Sequence, residues 1–280
     1  MLEAAPRLKV VSTSGFGTDN VDLDAATELG VLVVNHVGFG RIPVSEHTVI
    51  LILALLKQLP WAMTATREGT GWSARSDLDG VFELHGKTVG VIGMGYVGSE
   101  IARKLALGFG ATVLGYDPYA DPRLGNLAGA EMVSTVDELL SRSTILALAP
   151  ALDDTSREMI GAVELARMPR GSFVVNCSRG GVVDTDALAD ALESGQIAGA
   201  AVDVVEPEPL PPGHRLLTHP RAVVTPHIAG LTAETIVRMT DSAVAQLTDA
   251  LAGRLPACPV NGQVWDSSAS LARFAPGTPR

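Results

Sequence analysis

The chain has 280 residues, is 46% hydrophobic but only 4% aromatic, and carries a formal charge of −10 with two cysteines. That length supports one large or two ordinary domains with real cores, and the composition reads as a soluble globular protein. An acidic balance without a basic run disfavours nucleic acid and anionic membranes as partners. Two cysteines, Cys177 and Cys258, make neither a disulfide framework nor a metal-ligand spacing and fit a reducing, cytoplasmic setting.

In chain order, "LKVVSTSG" and "VLVVNH" read as the first strands. The apolar stretch Val49–Leu59 is too short to span a bilayer and reads as a buried helix. Met1, Glu3 and Pro6 do not open a secretory leader. The glycine-rich, polar stretch Gly69–Asp79 reads as a hinge. Six further β-branched runs follow: "KTVGVIGM", "ATVLGYD", "TILALA", "SFVVNCS", "IAGAAVDV" and "RAVVTPH". They alternate with helical patterns such as Val97, Ile101, Leu105 and Phe109, four apart on one face. The alternation predicts an α/β fold, a doubly wound parallel sheet covered by helices on both faces, with a second, smaller domain. Residues 1–76 are too few to close a core, so they are expected to recruit 253–280, beyond a connecting helix over 232–252; residues 77–231 form the larger domain. The tail from Val264 is expected to be poorly ordered.

"TVGVIGMGYVGSEIARKLA" sets Gly93, Gly95 and Gly98 between a strand and an amphipathic helix. The first glycine allows the tight turn, the second lets a pyrophosphate approach the backbone, and the third lets helix and strand pack closely. The helix N-terminus offers its N–H groups to the phosphates. Asp117 ends the next strand 24 residues after Gly93, where a carboxylate can accept both ribose hydroxyls of the adenosine and would repel a 2′-phosphate. NAD is therefore favoured over NADP, although Asp117-Pro118 also reads as a simple turn.

Ligands of open α/β sheets collect at the C-terminal ends of strands. Arg179 follows "VVNCS", Glu208 follows "AAVDVVEPE" and His227 ends "AVVTPH". Singly, each could be a salt-bridge partner, a solvated loop acid or a hydrogen-bonded terminus. Together they suit the reduction of a 2-oxo acid, which needs a fixed cation for the carboxylate and a proton donor for the forming alkoxide. A glutamate beside the histidine would favour its protonated form and fix its ring. Gly180 and Gly181 are expected to let Arg179 project while the backbone turns into the helix begun by "DTDAL". His36, His47, His85, His214 and His219 make no metal-ligand cluster, and no metal is expected.

With these residues in view, the chain resembles the NAD-dependent D-isomer-specific 2-hydroxyacid dehydrogenases. The likeness runs from about Leu8 to Asn261 through "GFGTDNVDLDAATELGVLVVN", "VSEHT", "GKTVGVIGMGYVGSEIA", "YDPY", "VNCSRGGVVDTDALADALESGQIAGAAVDVVEPEP" and "TPHIAG". It implies catalytic roles for Arg179, Glu208 and His227; Glu206 competes with Glu208 on spacing, but the family's glutamate directly precedes the second proline. It further implies a cofactor-binding set of Gly93, Gly95, Tyr96, Val97, Gly98, Asp117, Pro150, Cys177, Ser178 and Asp203, with Asp203 orienting the nicotinamide carboxamide. Ser14, Gly15, Phe16 and Gly17 would cradle the substrate carboxylate with Arg179, on a flavodoxin-like substrate domain. A small 2-oxo or 2-hydroxy acid is the implied substrate and a homodimer the implied assembly.

Three departures stand out. Family members carry strands and helices upstream of the segment matching "LKVVSTSG", so the resemblance implies a substrate domain incomplete at its N-terminal side. Leu148 stands where many relatives have a histidine, two residues before Pro150. Thr13 stands where phosphoglycerate dehydrogenases carry an arginine for the phosphate, which favours a hydroxypyruvate or glyoxylate type of substrate. Two other readings use the same residues: an NADH-sensing interaction protein of the corepressor type, and a catalytically impaired NAD-binding fragment.

Overall fold

The computed structural model describes residues 2, 4–73, 75, 80–266 and 274. The strands, in chain order, are β1 (Val10–Ser12), β2 (Leu32–Val34), β3 (Thr88–Ile92), β4 (Thr112–Tyr116), β5 (Ala130–Met132), β6 (Ile145–Leu148), β7 (Ser172–Asn176), β8 (Ile197–Val202) and β9 (Ala222–Val224). The helices are α1 (Leu23–Glu28), α2 (Arg41–Leu56), α3 (Leu59–Arg67), α4 (Tyr96–Arg103), α5 (Pro122–Leu127), α6 (Val136–Arg142), α7 (Ala162–Arg167), α8 (Thr185–Glu193), α9 (Arg215–Thr218), α10 (Ala233–Leu251) and α11 (Gln263–Asp266). Each of the eight expected strands is present. β5 is the addition: three residues, one an exposed glutamate, on the sheet edge, too short and too polar to stand out as a run.

The chain divides into two compact units, 41–230 and 1–40 with 231–280. The larger unit holds a seven-stranded, wholly parallel sheet in the order β5-β4-β3-β6-β7-β8-β9. Both faces are covered, which is why its strands read as continuous apolar runs rather than alternating ones. Val89, Val91, Ile145, Ala147 and Val175 belong to one buried cluster with Leu51, Leu55 and Leu56 of α2 and Ile101 of α4. The alternate residues Ile92, Leu146, Leu148 and Val174 belong to another with Leu139 of α6, Leu165 of α7 and Leu188 of α8. The strand order reverses between β3 and β6, the place where open parallel sheets bind their ligands at the carboxyl ends of the strands.

Two sequence expectations change here. The larger unit begins at Arg41 because α2, apolar on almost every side, packs on β7 and β8 as a core helix of the large sheet. The expected boundary at 76–77 and part of the expected hinge lie outside the described residues. The Val97–Phe109 stripe is also interrupted: after α4 the backbone widens into a π-helical turn, Lys104–Gly108, that carries Phe109 off the buried face of Ile101 and Leu105.

Glu100 joins α4 to α2. Its carboxylate is buried and receives Arg41 at 2.8 Å, Arg103 at 2.6 Å and Lys104 at 3.1 Å. Hydrogen bonds from Arg103 above all, with help from Arg41 and Lys104, outweigh burial and hold its carboxyl at about 2, below its ordinary 4.5. A lowered carboxyl pKa stabilises the fold above the unfolded value, and that contribution is lost as pH falls from 4.5 towards about 2. Because the two guanidinium groups are half exposed, Glu100→Gln is expected to cost about 2 kcal/mol at pH 7 rather than the full shift. Thermal melts should show that deficit at pH 7 and a much smaller one near pH 2; a deficit equal at both would contradict the charge-based account.

In the smaller unit β1 and β2 pair in parallel, Val10 to Leu32 through Ser12 to Val34. Chain from beyond α10 joins this short sheet: Val260 N–H donates to the Val33 carbonyl at 2.8 Å, and Asn261 Oδ1 accepts the Val33 N–H at 2.7 Å. Gln246 of α10 donates to the Asn35 carbonyl and accepts the Cys258 N–H. α10, expected as a connector, belongs by its contacts to this unit; it starts on a Thr232 cap whose hydroxyl accepts the Thr235 N–H. Of the tail from Val264, only Val264–Asp266 and Phe274 are described, with Phe274 buried against Trp265.

Candidate active site

The glycine loop closes the β3–α4 turn at the strand-order reversal. Gly93 has φ +85°, and a Cβ on it would stand 2.6 Å from the backbone nitrogen of Pro150, which follows β6. A Cβ on Gly98 would lie 1.7 Å from the Gly93 carbonyl oxygen, so α4 can meet the loop only through a glycine. Gly95 differs: nothing stands within 4 Å of its Cβ position, and it begins α4 without a side-chain cap. Open space over an uncapped helix start, with Tyr96 exposed and Val97 half-buried in the first turn, suits a pyrophosphate.

Asp117, just beyond β4, accepts N–H bonds from Met94 at 2.8 Å, Tyr119 at 2.9 Å and Ala120 at 3.1 Å. Its carboxylate thus ties the β3 loop to its own turn. Three of about four acceptor positions are used, which leaves room for one ribose hydroxyl rather than two. Arg123, the next cation along the chain, is held in a fork on Asp121.

The three ionisable groups at strand tips follow β7, β8 and β9, adjacent strands of one sheet. His227 Nδ1 meets Glu208 Oε1 at 2.8 Å, both side chains about half exposed. Glu206 turns elsewhere, onto Arg157 Nη1 at 3.0 Å, so the glutamate paired with the histidine is Glu208. His227 has φ +54°, a left-handed conformation uncommon outside glycine, with its N–H donated to the Asp203 carbonyl at 2.8 Å.

The Arg179 loop is held by Asn176, whose side-chain amide donates to the Arg179 carbonyl at 2.9 Å and whose Oδ1 accepts from the Ser178 N–H and hydroxyl. Arg179 Nη1 donates to the Ser178 carbonyl at 2.8 Å. The two glycines that follow serve differently from the expectation. Neither has a positive φ; instead a Cβ on Gly180 would lie 2.0 Å from the Val205 carbonyl oxygen, and one on Gly181 2.2 Å from Glu206 Oε2. They let the β7 and β8 loops touch, bringing the Arg179 and Glu208 segments together.

Asp203 is buried and its carboxylate serves the His227 loop: Oδ1 accepts from the Thr225 hydroxyl and the Ile228 N–H, Oδ2 from the Ala229 N–H. One Oδ2 position remains for a carboxamide. Cys177 turns its thiol into the core, where burial pushes it up to about 12, so any cofactor contact there belongs to its backbone. Ser14, Gly15, Phe16 and Gly17 lie in the smaller unit, just beyond β1. Asn35 donates to the Phe16 carbonyl, and the Gly15 carbonyl accepts from the Thr13 hydroxyl and the His36 N–H. Position 15 has no atom within 4 Å of a Cβ. Among the described residues no group of His, Cys, Asp and Glu is arranged to hold a metal.

Asn176, Arg157, Thr225 and His47, which shape this site, carry no role in the sequence reading. Asn176, Thr225 and His47 lie in stretches that carry the family likeness, "VNCSRGG", "TPHIAG" and "VSEHT", whereas Arg157 lies in none, and the His47–Thr225 contact spans 178 residues.

A doubly wound parallel sheet with a glycine loop at its reversal point and an acid at the next strand tip defines a dinucleotide-binding protein. A family model described as the D-isomer specific 2-hydroxyacid dehydrogenase, NAD binding domain, matches residues 49–229, and the chain belongs to that family. D-3-phosphoglycerate dehydrogenase of Methanocaldococcus jannaschii is 38% identical over 261 residues, 93% of this chain and 49% of that protein. Glyoxylate reductase of Aeropyrum pernix is 37% identical over 268 residues, 94% of this chain and 79% of that protein. The holo D-mandelate dehydrogenase structure from Rhodotorula graminis aligns with a TM-score of 0.85 at 31% identity, covering 91% of this chain and 75% of that one. The chain spans about half the length of the phosphoglycerate dehydrogenases it matches.

Proposed function

We propose that this chain moves a hydride between a nicotinamide dinucleotide and a small, unphosphorylated 2-oxo or 2-hydroxy acid of the glyoxylate and hydroxypyruvate type. The observation that carries the reading is the 2.8 Å contact of His227 Nδ1 with Glu208 Oε1, on strand tips adjoining the Arg179 loop. Gly93, Gly95 and Gly98, the first turn of α4, Asp117 and Asp203 would hold the cofactor, which supplies the hydride when bound. Arg179 presents a planar fork to the substrate carboxylate. Glu208 occupies Nδ1 of His227, leaving Nε2 to give a proton to the substrate oxygen in reduction and to take it in oxidation. Glu208 also fixes the ring's direction.

Two observations support the finer choices. Asp117 offers negative charge to the ribose, and Arg123 is committed to Asp121, which favours NADH over NADPH. Thr13 is buried and spends its hydroxyl on the Gly15 carbonyl, offering a phosphate no cation. The purified chain should oxidise NADH with glyoxylate or hydroxypyruvate, while phosphohydroxypyruvate and NADPH each lower kcat/KM by about tenfold or more, roughly the weight of one charged contact. NADH binding without turnover on any of these acids would refute the reading.

A further inference from the structure

His47 is the seventh residue of α2, half-buried and flanked by Glu46 and Thr48. Its Nε2 is 3.2 Å from Thr225 Oγ1 and 3.6 Å from Asp203 Oδ1, with the His47 side chain only 17% exposed and that of Asp203 1%. The single hydroxyl hydrogen of Thr225 is given to Asp203 Oδ1 at 2.5 Å, so the threonine oxygen can only accept from His47. That assigns the proton on the His47 ring to Nε2. Asp203 in turn gathers the N–H groups of Ile228 and Ala229 on its carboxylate and that of His227 on its carbonyl. A chain of hydrogen bonds thus runs from α2 through Thr225 and Asp203 into the backbone of 227–229.

We propose that His47 is a positioning residue for His227. By holding the Thr225 hydroxyl on Asp203, it keeps the carboxylate aimed at the two following N–H groups. Those bonds in turn hold His227 at φ +54°, a conformation that persists only where the surroundings over-determine it. Without the His47 donor the Thr225 hydroxyl is free to rotate away, and the turn carrying the histidine loosens. This rests on the function proposed above only in making His227 the proton-passing group; the hydrogen-bond chain itself exists without substrate or cofactor.

The test compares His47→Leu, His47→Gln and Thr225→Val with the unaltered chain. The glutamine amide can place an N–H donor near the position of Nε2, whereas leucine fills space without one. In the ligand-free proteins, hydrogen–deuterium exchange at the Ile228 and Ala229 amides is expected to quicken about tenfold or more in His47→Leu and Thr225→Val and to stay near the unaltered rate in His47→Gln. With glyoxylate or hydroxypyruvate and NADH, kcat is expected to fall about tenfold in the same two variants with KM little changed, to recover in His47→Gln, and to fall no further in the double variant His47→Leu/Thr225→Val. Unchanged exchange in His47→Leu, a glutamine variant no better than leucine, or additive losses in the double variant would each overturn the proposal. A chain without turnover in any form would count against the proposed function, while the exchange rates would still decide the role of His47.

Discussion

His227→Asn is expected to lower kcat for NADH-dependent reduction by about 10²–10⁴-fold, the usual weight of a positioned general acid and base. NADH affinity should stay within about twofold, because the glycine loop and Asp117 are untouched. Asparagine is the informative replacement: it tolerates the left-handed backbone that His227 adopts at φ +54°, so the turn over Asp203 survives and the loss reports on chemistry. Alanine at the same position would add backbone strain to the missing imidazole. Glu208→Gln, which keeps a partner for Nδ1 but removes its charge, should cost less than the histidine replacement. Stopped-flow turnover beside fluorescence titration of NADH separates the two effects, and wild-type turnover in His227→Asn would remove that residue from the mechanism.

Gly98→Ala is expected to have the largest effect on folding and cofactor binding together. Its Cβ would lie 1.7 Å from the Gly93 carbonyl oxygen and 2.9 Å from the carbonyl carbon, both backbone atoms of a turn already pressed against Pro150. Overpacking against backbone of this kind costs about 3 kcal/mol or more, which lowers Tm by roughly 6–12 °C in a unit of this size, and NADH binding should be lost with the loop. Gly95→Ala makes the complementary case. Nothing stands within 4 Å of that Cβ, so Tm should hold while NADH binding weakens, since the methyl occupies the space left for phosphates. Equal melting temperatures for the Gly98 variant and the unaltered chain would contradict the packing seen here.

The large sheet was legible because burial on both faces leaves β6 and β7 as unbroken apolar runs, and because the glycine spacing encodes a turn. β5 was not legible, since three residues with one exposed acid make no pattern. The destination of α2 was hidden for a related reason: a helix apolar nearly all round announces a core without saying which one. At the site, Glu208 and His227 stand together, yet what separates Glu208 from Glu206 is a pairing with Arg157, 49 residues upstream of Glu206. Nothing local in either segment displays that pairing. Gly180 and Gly181 looked like sources of flexibility, whereas the constraint is the approach of a neighbouring loop, invisible until both strands are laid side by side. The left-handed His227 and the Asp203 carboxylate beneath it depend on tertiary hydrogen bonds in the same way.

The central claim is direct transfer of hydride to C2 of a small 2-oxo acid, with His227 supplying the proton to oxygen. NADH deuterated at both C4 positions, incubated with this chain and either glyoxylate or hydroxypyruvate, tests it in one experiment. Mass spectrometry of the product should find one deuterium at C2 of the hydroxy acid, and the glycerate formed from hydroxypyruvate should be the D-enantiomer alone. Product formed without label at C2, or a racemic glycerate, would contradict the account.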